Sequence, residues 1–114
     1  FMLLNNVDIV FVNEAKRALA KYNGKKFPQA QLNIRNDQIG SSQYILISPF
    51  ANANEALGYI EKTAPIANRE IFPWLGADKY KFWIVSPDNL KKMIEEKNTD
   101  VYLNFIKAQL PGKF

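Results

Sequence analysis

Apolar and polar positions recur along this chain with changing periods, and each period predicts an element. Residues 1–4 form a short apolar run halted by Asn5-Asn6, the end of a first strand. Residues 7–12 are almost continuously apolar and suit a buried strand or a helix start equally. Beyond them Val12, Ala15, Leu19 and Tyr22 recur at helical spacing, with Glu14, Lys16, Arg17 and Lys21 opposite. Asp8 is placed to cap this amphipathic helix, and Asn23-Gly24 reads as its left-handed stop. Pro28 separates it from Leu32-Asn33-Ile34-Arg35, which alternates as a half-buried strand does. Gly40-Ser41-Ser42 reads as a turn. Tyr44-Ile45-Leu46-Ile47 is unbroken in apolar residues, the pattern of a central strand covered on both faces. These two strands should form an antiparallel hairpin, with Leu46 or its neighbours facing Leu19 and Ile60.

The second half repeats the plan. Pro49 ends the central strand, and Asn52 stands three residues before Glu55, close to a capping box. Ala53, Ala56, Leu57 and Ile60 then share a helical face until Thr63-Ala64-Pro65 interrupts it. An unusually apolar connection follows, with Ile71, Phe72, Pro73, Trp74 and Leu75. Residues 80–85 read as a fourth strand, with Tyr80, Phe82 and Ile84 on one side and Lys81 and Trp83 on the other. Ser86-Pro87-Asp88 is a strong helix start whose buried stripe would be Leu90, Met93 and Ile94. Asn98-Thr99-Asp100 caps a last helix with Tyr102, Phe105 and Ile106 on one face, stopped by Leu110-Pro111-Gly112. The order predicts an α+β domain, a ferredoxin-like βαββαβ antiparallel sheet with helices on one face and two added C-terminal helices. Those two helices should cover part of the open sheet face or pack at its edge. Asn33, Arg35, Lys81 and Trp83 are expected to point towards them.

Composition narrows the chemistry. The 114 residues suit a single domain over 1–114 with a core of its own, and 47% hydrophobic with 23% charged residues is ordinary globular stock. With no cysteine and no histidine, the chain lacks thiolate nucleophiles, the commonest general base and the commonest transition-metal ligand. No enzyme activity, cofactor or metal is therefore expected. Glu95 and Glu96 are helix neighbours that diverge by about 100° and do not share a site. Phosphate-cradling glycine motifs and the nucleophile elbow are missing from the sequence. The net charge of +4 is concentrated in Lys16, Arg17, Lys21, Lys25 and Lys26, which reads as a solvated helix face. No run approaches the roughly 20 apolar residues of a membrane span. The chain opens at Phe1 rather than Met, so it is expected to be a processed or excised piece of a longer protein.

Four residues stand out as binding candidates. Phe72 and Trp74 lie in a connection that would run over the surface, where they either tuck beneath the loop or anchor a partner. Trp83 and Arg35, with Lys81, are the groups able to form a base-stacking sheet face. The strand Gln43-Tyr44-Ile45-Leu46-Ile47-Ser48-Pro49-Phe50 nevertheless lacks the glycine and paired aromatics of RNA-recognition modules.

Two resemblances follow from these stretches. Residues 43–56, from Gln43-Tyr44-Ile45 through Ser48-Pro49-Phe50 to Asn54-Glu55-Ala56, resemble the most recognisable part of the SPOR domain, with Ser48 where that family usually has Gly. That likeness implies a periplasmic module binding glycan strands on the face of a βαββαβ sheet. Over nearly the whole chain the sequence is also similar to the C-terminal domain of Bacteroidetes tetratricopeptide-repeat lipoproteins of type IX secretion and gliding motility. The residues that carry this are Asp8-Ile9, Tyr22-Asn23 with Phe27, Ile45 through Phe50 before Asn54-Glu55-Ala56 and Tyr59, Phe82-Trp83-Ile84-Val85-Ser86 before Asn89-Leu90, and Tyr102-Leu103-Asn104-Phe105. Ile106 replaces the second Phe of the family pattern. The resemblance implies a non-catalytic envelope module, periplasmic, tethered to the outer membrane through an upstream lipoprotein anchor, and contacting a type IX secretion component or another envelope protein. Peptidoglycan binding of the SPOR type, or a regulatory domain for RNA or a small molecule, is the alternative reading.

Overall fold

Two apolar clusters, one on each face of a single sheet, organise the molecule. The structure, a computed structural model, describes residues 1–40 and 42–109. Its strands are β1 (Met2–Leu4), β2 (Asn33–Ile39), β3 (Ser42–Ser48) and β4 (Tyr80–Phe82). Its α-helices are α1 (Ile9–Lys26), α2 (Ala53–Ile66), α3 (Pro87–Glu96) and α4 (Asp100–Gln109). The class is α+β. The sheet runs β2-β3-β1-β4 with every neighbouring pair antiparallel. Connections through α1 and α2 therefore each step over one intervening strand. Among the described residues no helix is long and apolar enough to cross a membrane.

Strand alternation decides which cluster each side chain joins. Met2, Leu4, Ile45, Ile47 and Phe82 point to one face, where Val12, Ala15 and Leu19 of α1 and Tyr59 of α2 cover them. Phe1, Leu3, Ile39, Tyr44 and Trp83 point to the other, beneath Leu90 and Met93 of α3 and Leu103 and Ile106 of α4. As the sequence predicts, residues 44–47 belong to a central strand, and the C-terminal helices close over the second face. It is Ile45 and Ile47 that share the cluster of Leu19 and Ile60, while Leu46 packs on the other side.

One boundary left open by the sequence is decided by a local cap, and several others differ from the sequence reading for tertiary reasons. The ambiguous stretch before Val12 is helical from Ile9, because the Asp8 carboxylate accepts from the Val10 N–H at 3.0 Å. Asn23-Gly24 does not stop α1. Asn23 is buried and its Oδ1 accepts the Tyr59 hydroxyl at 2.6 Å, so the helix continues past it to Lys26. Likewise Thr63-Ala64-Pro65 does not interrupt α2, since Thr63 and Ala67 are both fully buried. The turn Ala67–Ile71 then widens into π geometry and carries Ile71 into the same core. Strand β2 runs on to Ile39, because pairing with β3 holds its polar middle, Asn36 to Gln38, extended. Strand β4 ends early, at Phe82. From there the chain leaves for α3, and Ile84 joins the second cluster rather than siding with Tyr80 and Phe82. In α3 and α4 the buried positions are Leu90, Met93, Leu103 and Ile106, whereas Ile94 and Phe105 stay exposed. The stop expected at Leu110-Pro111-Gly112 lies outside the described residues.

A polar seam ties α1 to α2. Besides the Asn23–Tyr59 bond, Thr63 Oγ1 donates to the Tyr22 hydroxyl at 3.1 Å. Burial pushes the Tyr59 phenol far above its ordinary value of 10.0. Tyr44, Tyr80 and Tyr102 are raised too, in each case chiefly by burial and for Tyr44 also by the Asp37 carboxylate. A folded state that holds phenolic protons more tightly than the unfolded chain is fully stabilised below pH about 10 and loses that stability as pH rises beyond it. Thermal unfolding should therefore show the melting temperature falling as pH rises above about 10. Tyr59→Phe should flatten that fall while costing about 1–3 kcal/mol near neutrality, because Asn23 then loses its buried partner.

Candidate functional site

Of the four candidates, Trp74 and Arg35 are exposed, and Phe72 and Trp83 are buried. Phe72 is fully buried, 5.0 Å edge-on to Tyr80 and 6.3 Å from the Trp74 ring. It is a core residue in the cluster beneath α1 and α2, and a partner cannot touch it. Trp83 lies beneath α4, with the Lys81 ammonium 5.0 Å and the Lys107 ammonium 5.9 Å from its ring centre. Its indole is taken up by packing, so it offers no face on which a base could stack. Asn33, Arg35, Lys81 and Trp83 do point to the second face, as the alternation predicts, but α3 and α4 cover the centre of that face.

Ile94 of α3 and Val101 and Phe105 of α4 are exposed on the C-terminal helices, whereas four exposed apolar residues lie together at the Leu4–Tyr80 end of the sheet. Here the connection after the π turn brings Trp74, 47% exposed, to within 6.0 Å of the Phe11 ring, itself 51% exposed. Ile9 and Val10 precede Phe11 in the first turn of α1 and are exposed as well. The Asn68 amide donates to the Leu75 carbonyl at 2.9 Å and fixes the loop that carries Trp74. Phe72, locked in the core two residues earlier, anchors it from the other side. This aromatic ridge is therefore held rigidly, which lowers the entropy lost when a partner docks.

Sequence reasoning singled out Trp74 but not Phe11, Ile9 or Val10. A signal was present. Four consecutive apolar residues, Ile9 to Val12, spread about 100° apart around a helix, so only part of such a run can face a core. Val12 takes the buried position, and the three before it are left to solvent.

At the opposite end, near Phe1, an apolar cleft of about 990 Å³ opens between the start of α2 and α3. Leu46, Phe50, Ile60, Ile84 and Ile94 line it, with Arg35, Lys91 and Glu95 as its charged residues. Arg35 and Trp83 thus meet at this cleft, at the other end of the sheet from Trp74. A smaller cleft of about 550 Å³ lies between α1 and β2, lined in part by Lys16, Arg17 and Asn23. Of the basic cluster on α1, Arg17 pairs with Glu14 at 2.6 Å and Lys16 donates to Asn36 Oδ1 at 3.1 Å. Paired and helix-borne, these two belong to a solvated face.

Comparison of the chain with family models, with curated proteins and with solved structures finds no match.

Proposed function

We propose that this domain is a non-catalytic binding and scaffolding module that docks a protein partner through the ridge of Phe11 and Trp74. The observation that carries the reading is that ridge: the Phe11 ring of α1 against the Trp74 ring of a loop braced by a buried phenylalanine, each about half exposed. Tryptophan held rigidly at a surface is the residue type most enriched among binding hot spots. The sequence resemblance supports a place in the bacterial cell envelope. There the domain is periplasmic, the tail of a longer lipoprotein, and its partner is a component of type IX secretion or gliding. In fold terms the domain is a ferredoxin-like or SPOR-like variant in which two added helices cover the second sheet face. That covering is what favours protein over polymer. A glycan or RNA strand lying across the face would have to displace Leu103 and Ile106 from Tyr44 and Trp83.

Pull-down from envelope extract tests the reading, with the domain compared to its Trp74→Ala and Phe11→Ala variants. Specific capture of one partner, weakened about tenfold or more by either variant, is the expected result. Sedimentation with denuded peptidoglycan should leave the domain in solution. If peptidoglycan carries it down and Trp74→Ala changes nothing, the SPOR-type reading takes its place, with the cleft beside Arg35 as the surface to examine next.

A further inference from the structure

The outer edge of the sheet carries a self-complementary pattern. Two backbone bonds set the direction in which each strand residue presents its peptide groups. The Trp83 N–H donates to the Phe1 carbonyl at 2.7 Å, and the Asn5 N–H to the Lys79 carbonyl at 2.8 Å. Odd residues of β1 therefore face β4, and Met2 and Leu4 face β3, where Ile45 and Gln43 lie opposite them. By the same alternation Tyr44 and Leu46 face β2, where they meet Asp37 and Arg35. The peptide groups left on the outer edge of β2 are those of Ile34, Asn36 and Gln38. One of them is already engaged locally, since the Gln38 N–H donates to Asp37 Oδ1 at 2.8 Å. No other strand of the described residues pairs with this edge.

A second copy of the chain, laid antiparallel about a two-fold axis through Asn36, matches this edge. Asn36 then pairs with the second copy's Asn36, and Ile34 with its Gln38, all at hydrogen-bonded positions. Arg35 falls opposite the second copy's Asp37, and the symmetry repeats the pair. These are non-hydrogen-bonded positions, where facing Cα atoms come to about 4.5 Å and side chains meet most closely. Both residues are exposed in the single chain, so pairing buries no new unpartnered charge. The Gln38 N–H passes to the second copy's Ile34 carbonyl, which frees Asp37 for Arg35. Charges on an edge strand ordinarily block such pairing. Here they select one register. A slip of one residue along each strand sets Arg35 against Arg35, or Asp37 against Asp37.

We propose that β2 is a dimerisation edge, through which two copies join into a continuous eight-stranded sheet held by reciprocal Arg35–Asp37 pairs. One strand pair buries less than the roughly 1,000 Å² of a permanent interface, so the dimer is weak and concentration-dependent. Sedimentation velocity from about 1 μM to about 1 mM tests it. The unaltered domain should pass from monomer to dimer within that range. Arg35→Asp and Asp37→Arg alone should each weaken association about tenfold or more, because each sets like charges face to face twice. An equimolar mixture of the two variants should associate again, since the two acidic side chains on the edge of one variant then meet the two basic side chains on the edge of the other. Recovery in the mixture also shows that both variants are folded. A domain that stays monomeric throughout, single variants that associate as the unaltered domain does, or a mixture that fails to recover would each overturn the proposal.

Discussion

Replacing Phe72 by Ala is expected to destabilise the domain by about 3–5 kcal/mol, as aromatic truncations in packed cores do. Phe72 is fully buried at the meeting of the loop, β4 and the helix layer, and its ring sits edge-on to Tyr80 at 5.0 Å. Removing it leaves a cavity that a β-strand and a π turn cannot collapse to fill. A domain of this size has roughly 5–15 kcal/mol of stability in all, so the variant should sit close to its unfolding threshold. Urea unfolding followed by far-UV circular dichroism provides the measurement. Trp74→Ala, two residues away and half exposed, should shift the midpoint far less. Equal losses for the two would mean that Trp74 belongs to the core and that the proposed ridge is not a docking surface.

Ile45→Ala should cost about 2–5 kcal/mol, and Leu46→Ala distinctly less. Ile45 is fully buried on β3, opposite Met2 and in the cluster with Leu19 and Tyr59. Leu46, its neighbour, points to the other face and borders the open cleft, so its truncation is partly relieved by solvent. The comparison measures the two faces of one strand separately. If the order of the two losses were reversed, α3 and α4 would hold the tighter core, and the cleft beside them would be closed.

Most elements and the α+β class were legible in the sequence. Local chemistry is enough where a residue acts on its own backbone. The carboxylate of Asp8, the amide of Asn52 and the hydroxyl of Ser86 each accept from an N–H two or three residues on, as their spacing predicts. The unbroken apolar run at residues 44–47 required cover on both faces, and a central strand between two clusters supplies it. Trp74 was legible for a similar reason, as a large apolar group in a surface connection.

Long-range packing settled where local signals were overruled and which aromatics were accessible. Asn23-Gly24 and Pro65 carry breaking tendencies worth about 1–3 kcal/mol in an isolated helix. Burying Asn23 against Tyr59, and Thr63 and Ala67 in the core, outweighs those tendencies. Phe72 and Trp74 are alike as sequence, one on each side of Pro73, yet one is core and the other is surface. The same holds for Trp83, which α4 covers from about 20 residues further along the chain. Burial depends on which distant segments arrive, and local sequence carries no record of that arrival. Periodicity makes Val12 the inward position and leaves Phe11 off the buried stripe, but it carries no record of the loop some 60 residues away that brings Trp74 beside Phe11.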